Sequence, residues 1–425
     1  MELKNKNFLV YGTGISGISA YNFLKENGAN VYIFSDRCSE KLEDFVSVKK
    51  FSDIENLNID YAVISPGVQI IGNKNIKKLK KMGIMLISEF ELGYLFCKGT
   101  FIAVTGTNGK TTCVNLLNHI LSKKYETYMC GNVGVPITSI ASKTTESSLV
   151  VAEVSSFMLE LISPNFSPDI AVITNITPDH ISRHKTFENY YNSKLKITKY
   201  QTPQQHLIIL NSLKDIKTDA KVIYAGTEKK YKSELIGDFN QQNISLCKEV
   251  CFFLGIKNKE FTKELKKFTP VKYRLQSLGK KNGITYINDS KSTNPDSTLK
   301  AIESFKKPVV ALLGGSDKGN DFYDIFNSKN KIKLAIIYGE TADKIENDAL
   351  FMGFTKTAKF VNLNEALYHL KSLVNKGDTV LFSPACASYD EFKNYIERGE
   401  CFNKFFAELK WKYQKIYLLK AIIKK

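Results

Sequence analysis

Arginine is nearly missing from this chain. Only four of its 60 basic residues are arginine (Arg37, Arg183, Arg274 and Arg398); the others are lysines. The formal net charge of +17 therefore rests on lysines dispersed along the whole length. Proteins that grip a phosphate backbone concentrate charge on one face and favour forked arginine contacts, so a nucleic-acid partner is not expected. The same scarcity marks each arginine as a candidate for a site that needs a planar guanidinium. Zinc-site and disulfide spacing are missing too. The eight cysteines form no C-x-x-C pair and no close Cys/His cluster, which argues against a structural zinc or a disulfide framework. Cys247 and Cys251 are expected to be small buried hydrophobes on one helix. No apolar run approaches the ~20 residues of a membrane helix. Met1–Lys6 runs straight into a strand-like Phe8–Tyr11 with no signal-peptide pattern, so a cytoplasmic protein without stable membrane insertion is expected. Low-complexity tracts and tandem repeats are also absent.

What is present is a globular composition, 43% hydrophobic and 24% charged over 425 residues. That is too long for one core, and two or three domains are expected. The central stretch is Thr105-Gly106-Thr107-Asn108-Gly109-Lys110-Thr111-Thr112. An apolar run from Phe101 to Val104 enters it and a helix-compatible run from Val114 to Leu121 leaves it. A strand, a glycine-bearing turn and a helix N-terminus in this order aim backbone N–H groups and a positive dipole end at one anion. Lys110 is suited to the β/γ-phosphates of ATP and the Thr111 hydroxyl to Mg²⁺. The generic G-x-x-x-x-G-K-[ST] pattern is not met, because Val104 stands where its first glycine would be.

The chain divides by pattern into three α/β units, expected at residues 1–93, 94–270 and 271–425. In the first, strand Phe8–Tyr11 leads into Gly12-Thr13-Gly14-Ile15-Ser16-Gly17, and a second strand ends at Asp36-Arg37. This G-x-G-x-x-G with a later acid fits NAD(H), another nucleotide such as a UDP-sugar, or simple close packing of helix on strand. A further strand ends in Ser65-Pro66-Gly67. In the second unit, Gly131-Asn132-Val133-Gly134 is a turn carrying a carboxamide. Glu153 ends an otherwise apolar strand and is followed by Ser155; a carboxylate there needs a cationic partner, and Mg²⁺ is one. His180 follows another strand end, and Lys194 lies in a helical stretch where a solvated lysine is the ordinary expectation. Asn240 and Asn243 fall three apart on one helical face, placed to meet a base or a phosphate; capping by Asn240 is the plain alternative. In the third unit, polar blocks follow strand after strand: Asn288–Pro295, Gly314–Gly319 and Ser383–Asp390. That is the functional edge of a parallel sheet.

Taken together and in order, these blocks resemble the Mur ligases of peptidoglycan synthesis, from about residue 7 to 408. The carriers are Thr105–Thr112, Glu153–Phe157, Asn175–His180, Asn288–Asn294, and Ser383–Ser388 with Asp390, Phe392, Lys393 and Asn394. The last two blocks favour the branch that adds D-glutamate to UDP-N-acetylmuramoyl-L-alanine. The resemblance implies three α/β domains: a Rossmann-like UDP-binding domain, a central P-loop ATPase-type domain and a C-terminal Rossmann-like domain. It implies an ATP-dependent amide ligase with two Mg²⁺ ions (or Mn²⁺), acting as a monomer on small-molecule substrates. It places Gly106, Thr107, Asn108, Gly109, Lys110, Thr111 and Thr112 on the ATP phosphates, and Asn240, Asn243, Arg274 and Asp289 around adenine, ribose and phosphates. Thr111, Glu153, His180 and a carbamylated Lys194 become metal ligands. Ser16, Asp36 and Arg37 lie around the uracil, Gly67 and Asn132 at the diphosphate, and Ser155 near the muramoyl-alanine end. Lys291 and Lys318 steady the transferred phosphoryl group and the incoming D-glutamate, with Thr293, Ser388 and Tyr395 completing its pocket.

Met158, Phe239, Tyr273, Tyr389 and Tyr395 depart from the residues usual in the family, and the basic tail from residue 409 exceeds its usual end. For that tail the expectations are a helix on the third domain, a frayed terminus or an interfacial amphipathic helix. Two other classes stand against the ligase: a nicotinamide-dependent oxidoreductase, resting on Gly12, Gly14, Gly17 and Asp36, and a non-catalytic ATP-switched binding protein.

Overall fold

The structure, a computed structural model, describes residues 1–36, 45–226 and 230–409. Arg37 and the tail beyond Leu409 lie outside the described residues. The chain forms two compact bodies. One is Met1–Glu234 with Asp238–Thr269; the other is Leu235–Gly237 with the residues from Pro270 onward.

The first body holds two parallel sheets. The N-terminal one has β1 (Asn7–Tyr11), β2 (Asn30–Phe34), β3 (Tyr61–Ile64) and β4 (Met85–Ser88) in the order β2-β1-β3-β4. Its helices are α1 (Ile15–Glu26), α2 (Lys74–Lys81) and α3 (Glu89–Phe96). Strand alternation sorts the core onto two faces. Phe8 and Val10 pack with Ala20 and Leu24 of α1, whereas Leu9 and Tyr11 pack with Ile76 and Leu79 of α2. β1 pairs with both β2 and β3, so the chain leaves the sheet centre in both directions. A crevice at the C-terminal ends of β1 and β3 follows, where open α/β sheets bind ligands.

The second sheet runs β10-β9-β8-β5-β7-β6. Its strands are β5 (Thr100–Thr105), β6 (Thr127–Gly131), β7 (Leu149–Glu153), β8 (Ile170–Ile173), β9 (His206–Leu210) and β10 (Lys221–Ala225). Its helices are α4 (Lys110–Leu121), α5 (Ile181–His184), α6 (Phe187–Leu195), α7 (Asp238–Phe253) and α8 (Asn258–Leu265). β5, β7 and β8 are buried along almost their whole length, as a sheet covered on both faces requires. Cys247 and Cys251 are buried in α7, and the described cysteines are all free. Buried carboxylates tie the two sheets together. The Thr138 N–H and hydroxyl donate to Glu89 Oε1 at 3.1 and 2.8 Å, and Ser163 N–H donates to Glu91 at 2.9 Å.

The second body is one mixed sheet, β11-β12-β16-β13-β14-β15, antiparallel only between β11 and β12. It comprises β11 (Gln276–Lys281), β12 (Ile284–Asn288), β13 (Val309–Gly314), β14 (Ile332–Tyr338), β15 (Thr357–Phe360) and β16 (Thr379–Ala385). The helices are α9 (Pro295–Glu303), α10 (Tyr323–Asn327), α11 (Ala342–Phe351), α12 (Leu363–Leu373) and α13 (Tyr395–Glu408). α9 begins at Pro295, at the end of the polar run Asn288–Pro295. The Asn294 side chain caps it, accepting from Ser297 N–H at 2.8 Å, and proline suits a first helical position. β16 inserts between β12 and β13, which sets the loop after Asn288 beside the loop after Ala385. Among the described residues no helix is long and apolar enough to cross a membrane.

Candidate active site

The phosphate loop joins β5 to α4 at the sheet centre. Gly106 and Gly109 take φ of +141° and +89°, a region L side chains rarely enter. Space forbids a side chain as well. A Cβ on Gly106 would lie 1.9 Å from Thr174 Oγ1, and one on Gly109 would lie 2.4 Å from Asn243 Oδ1. The loop is pinned by the segment leaving β8. Asn108 N–H donates to Asn175 Oδ1 at 3.1 Å, and the Asn108 carbonyl accepts from Thr174 Oγ1 at 2.6 Å and Asn175 Nδ2 at 2.9 Å. The Thr107 hydroxyl donates to the Thr177 carbonyl at 2.9 Å. Thr111 and Thr112 are buried at the first turn of α4.

Two lysines share this loop. Lys110 Nζ donates to the Gly106 and Thr107 carbonyls, both at 2.8 Å. Lys194 Nζ donates to the same Gly106 carbonyl at 2.7 Å and lies 4.7 Å from the centre of the Tyr190 ring. Lys194 is only 2% exposed, against the ordinary expectation of a solvated side chain. Burial, and then the charge of Lys110, depress its pKa well below the usual lysine range.

Glu153 ends β7 in register with Val104 of β5 and Gly131 of β6. Its carboxylate is 2% exposed and accepts from Asn132 Nδ2 at 2.8 Å. The Asn132 carboxamide is thus joined to the buried acid beside the loop. His180 is exposed at the end of the β8 segment, with φ +53°; its ring lies 4.9 Å from Phe157 and 6.3 Å from Tyr190. Asn240 and Asn243 are buried on α7 and bonded to each other at 3.1 Å. Asn240 sits inside the first turn of α7, so it is not a cap. Ser155 Oγ accepts from Met158 N–H at 3.3 Å.

Among the described residues no three His, Cys, Asp or Glu side chains are grouped to hold a metal. Mg²⁺ needs no such cage, because it takes one or two carboxylates and fills its shell with phosphate oxygens and water. The buried Glu153 carboxylate and the buried Thr111 hydroxyl are hard oxygen donors at the end of β7 and the first turn of α4, and that donor chemistry fits the ion.

Two further side chains carry polar contacts that spacing did not single out. His184 is buried, and its Nε2 meets Ser156 Oγ at 3.0 Å; burial depresses its pKa. Tyr11, inside an apolar strand, donates to Asp36, which also accepts from Asn75 Nδ2 at 2.9 Å. Gly67 is exposed in a turn with nothing within 4 Å of an added Cβ. Ser16 is half-buried in the first turn of α1. A Cβ on Gly17 would lie 1.8 Å from the Gly12 carbonyl oxygen, so this glycine serves the close packing of helix on strand.

In the second body, Asp289 is buried and accepts from Leu275 N–H at 3.0 Å and Ser383 Oγ at 2.8 Å. Burial nonetheless pushes its carboxyl up to about 7. Lys291 Nζ lies 5.3 Å from the centre of the Tyr395 ring. Ser388 is buried, Arg274 and Thr293 are half-buried, and Lys318 is exposed after β13. Arg398 organises these loops from beneath. Its buried guanidinium donates to the carbonyls of Ser290 at 2.9 Å, Cys386 at 3.0 Å and Ala387 at 3.0 Å.

The match to known proteins covers both bodies. The Mur ligase middle domain matches residues 104–282, and the Mur ligase, glutamate ligase domain matches residues 273–386. A UDP-N-acetylmuramoylalanine--D-glutamate ligase of Alkaliphilus metalliredigens is 35% identical over 455 residues, covering 96% of this chain and 100% of its own length. The chain belongs to the Mur ligase family. The ligase of the same name from Caldanaerobacter subterraneus is 35% identical over 453 residues, again covering 96% and 100%. Among solved structures, MurF ligase from Thermotoga maritima in complex with ADP has a TM-score of 0.61 at 18% identity, covering 96% of each chain. UDP-N-acetylmuramate-alanine ligase MurC from the same organism has a TM-score of 0.59 at 16% identity, covering 95% of this chain and 100% of its own. These likenesses establish the Mur ligase fold.

For a Mur ligase, the departures find simple places. Met158 is buried in an apolar core cluster of the central sheet, so this position serves packing. The Tyr273 hydroxyl donates to Glu400, and its ring packs edge-on to Tyr395, centroids 6.3 Å apart. Phe239 is half-buried, and Tyr389 is exposed.

Proposed function

We propose that this Mur ligase joins D-glutamate to UDP-N-acetylmuramoyl-L-alanine in the cytoplasm, with ATP, as a monomer. The observation that carries the proposal is that relatives bearing this activity in their name match over 96% of this chain and the whole of their own length, with the glutamate ligase domain matching residues 273–386.

The chemistry follows from the residues. A carboxylate oxygen of the alanyl substrate attacks the γ-phosphorus of ATP, ADP departs, and an acyl phosphate results. The amine of D-glutamate attacks the acyl carbon, phosphate leaves with the acyl oxygen, and the nitrogen gives up a proton. Both steps bring anions together, so fixed positive charge is the main requirement. Gly106 to Thr112 cradle the ATP phosphates through backbone N–H groups and the N-terminus of α4, and Lys110 turns from the loop carbonyls to the phosphates. Asn240 and Asn243 border the nucleotide next to Gly109; Arg274 and Asp289 are further candidates for contacts to adenine, ribose or phosphates.

Two Mg²⁺ ions, or Mn²⁺, held by Thr111, Glu153, His180 and Lys194, would neutralise phosphate and carboxylate charge. Lys194 serves as its carbamate: the neutral amine adds CO₂ and releases a proton, turning a cation into an oxygen donor. Its depressed pKa supports this, since only the neutral amine reacts. Asn132 orients Glu153. Ser16, Asp36 and Arg37 address the uracil, Gly67 the diphosphate and Ser155 the muramoyl-alanine end. Lys291 and Lys318 steady the phosphoryl group and D-glutamate, with Thr293, Ser388 and Tyr395 around the latter.

The test is phosphate release, which should require UDP-N-acetylmuramoyl-L-alanine and D-glutamate together. Release with L-lysine or diaminopimelate in place of D-glutamate would assign the chain to another branch of the family.

A further inference from the structure

Arg183 lies three residues after His180 and reaches across to the N-terminal sheet. Its Nε and Nη2 donate to the two oxygens of Glu160 at 2.9 and 2.8 Å, a forked pair. The guanidinium carbon lies 4.0 Å from the centre of the Phe157 ring, the same ring His180 packs on. The two remaining bonds go to backbone. Nη1 donates to the Pro66 carbonyl and Nη2 to the Val68 carbonyl, both at 3.1 Å.

Those two carbonyls determine what the turn offers to a ligand. Ser65–Val68 is a reverse turn closed by Val68 N–H on the Ser65 carbonyl at 3.0 Å. The described peptides are trans, and in a planar trans peptide the C=O and N–H point in opposite directions. Drawing the Pro66 and Val68 carbonyls onto one guanidinium therefore turns the Gly67 and Gln69 N–H groups away from it. Gly67 and Gln69 are both exposed, and neither amide has a protein acceptor among the described residues. The turn sits beside the entry to α1: a Cβ on Gly12 would lie 2.7 Å from Ser65 Cβ, and Tyr11 is in register with Ile64. Two outward N–H groups next to a helix N-terminus make an anion cradle.

We propose that Arg183 is a positioning residue for the sugar-nucleotide substrate. By holding two carbonyls on one side of the 65–69 turn, it presents the Gly67 and Gln69 amides on the other side to the substrate diphosphate. It does not touch the substrate. A lysine cannot replace it, because an ammonium lacks the rigid fork that meets a carboxylate and two carbonyls at once. The proposal rests on the reading that Gly67 lies at the diphosphate.

The test compares the affinity of UDP with that of uridine by calorimetry, for the wild-type chain and for Arg183→Lys. The wild type should prefer UDP. Arg183→Lys should lower that preference about tenfold, roughly the worth of one charged hydrogen bond, with uridine affinity unchanged. In turnover, KM for the UDP substrate should rise while KM for ATP stays constant. Glu160→Gln, which loosens the guanidinium without touching the turn, should produce a smaller change in the same direction and serves if Arg183→Lys does not fold. An undiminished preference in Arg183→Lys, or an equal loss of uridine and UDP affinity, overturns the proposal. A wild type that binds uridine and UDP alike overturns the underlying reading of Gly67 instead.

Discussion

Lys194 and Lys110 donate to the same carbonyl, that of Gly106, at 2.7 and 2.8 Å. Two ammonium groups on one oxygen repel each other. Burial, and then this repulsion, depress the Lys194 pKa well below the usual lysine range, which favours the neutral amine that the proposed carbamate requires. Lys194→Ala should therefore abolish turnover, with a loss of about 10³-fold or more in kcat. Lys194→Arg should be equally inactive, since a guanidinium stays protonated and adds no CO₂. Buffer stripped of bicarbonate should slow the wild type reversibly. An active arginine variant would refute the carbamate.

The glycine cradle predicts a steric failure. Gly106→Ala places a methyl group 1.9 Å from Thr174 Oγ1 at φ +141°. Strain of this kind costs about 1–3 kcal/mol before the clash is counted. ATP affinity, read by calorimetry, should fall at least tenfold, and a lower thermal midpoint should accompany it. Normal ATP binding in this variant would mean that the loop is looser than its packing implies.

Glu89 supplies a pH test of stability. Burial pushes its carboxyl from 4.5 up to about 7, although hydrogen bonds from Thr138 oppose the rise. A raised carboxyl pKa means the folded state holds the proton more tightly. The resulting stabilisation is complete below pH about 4.5 and is lost as pH rises to about 7, by up to ~3 kcal/mol. Glu89→Gln keeps the acceptor for Thr138 and cannot ionise. Its thermal midpoint should match the wild type near pH 4.5 and exceed it at pH 8. Equal midpoints at pH 8 would show that Glu89 is solvated when charged.

Arg398 holds the carbonyls of Ser290, Cys386 and Ala387 beneath the loops of the third domain. Arg398→Met leaves those groups unpaired in a buried place. A destabilisation of about 3 kcal/mol or more is expected, measured by denaturant unfolding. Arg398→Lys should recover only part of it, because one ammonium cannot span three carbonyls. Stability unchanged in Arg398→Met would mean that water satisfies them.

The sequence by itself determined the local elements and the chemistry each carries. The apolar run Phe8–Tyr11, the apolar run Leu149–Ala152 ending in Glu153, and the strand-glycine-helix order around Gly106 and Lys110 are short-range signals, and the structure keeps them. Tertiary structure alone decided how distant residues combine. A lysine-rich sequence gives no sign that Lys194 is buried; that follows from α6 packing Tyr190 and Lys194 against the loop after β5, 88 residues earlier. The union of Asn132 with Glu153 depends on β6 and β7 lying in register, and the adjacency of the Asn288 and Ala385 loops on β16 inserting beside β12. Arginine scarcity marked Arg183 and Arg398 as special. It could not say which carbonyls they hold, because strand order and long-range hydrogen bonding are set by the packing of whole sheets and leave no trace at any single position.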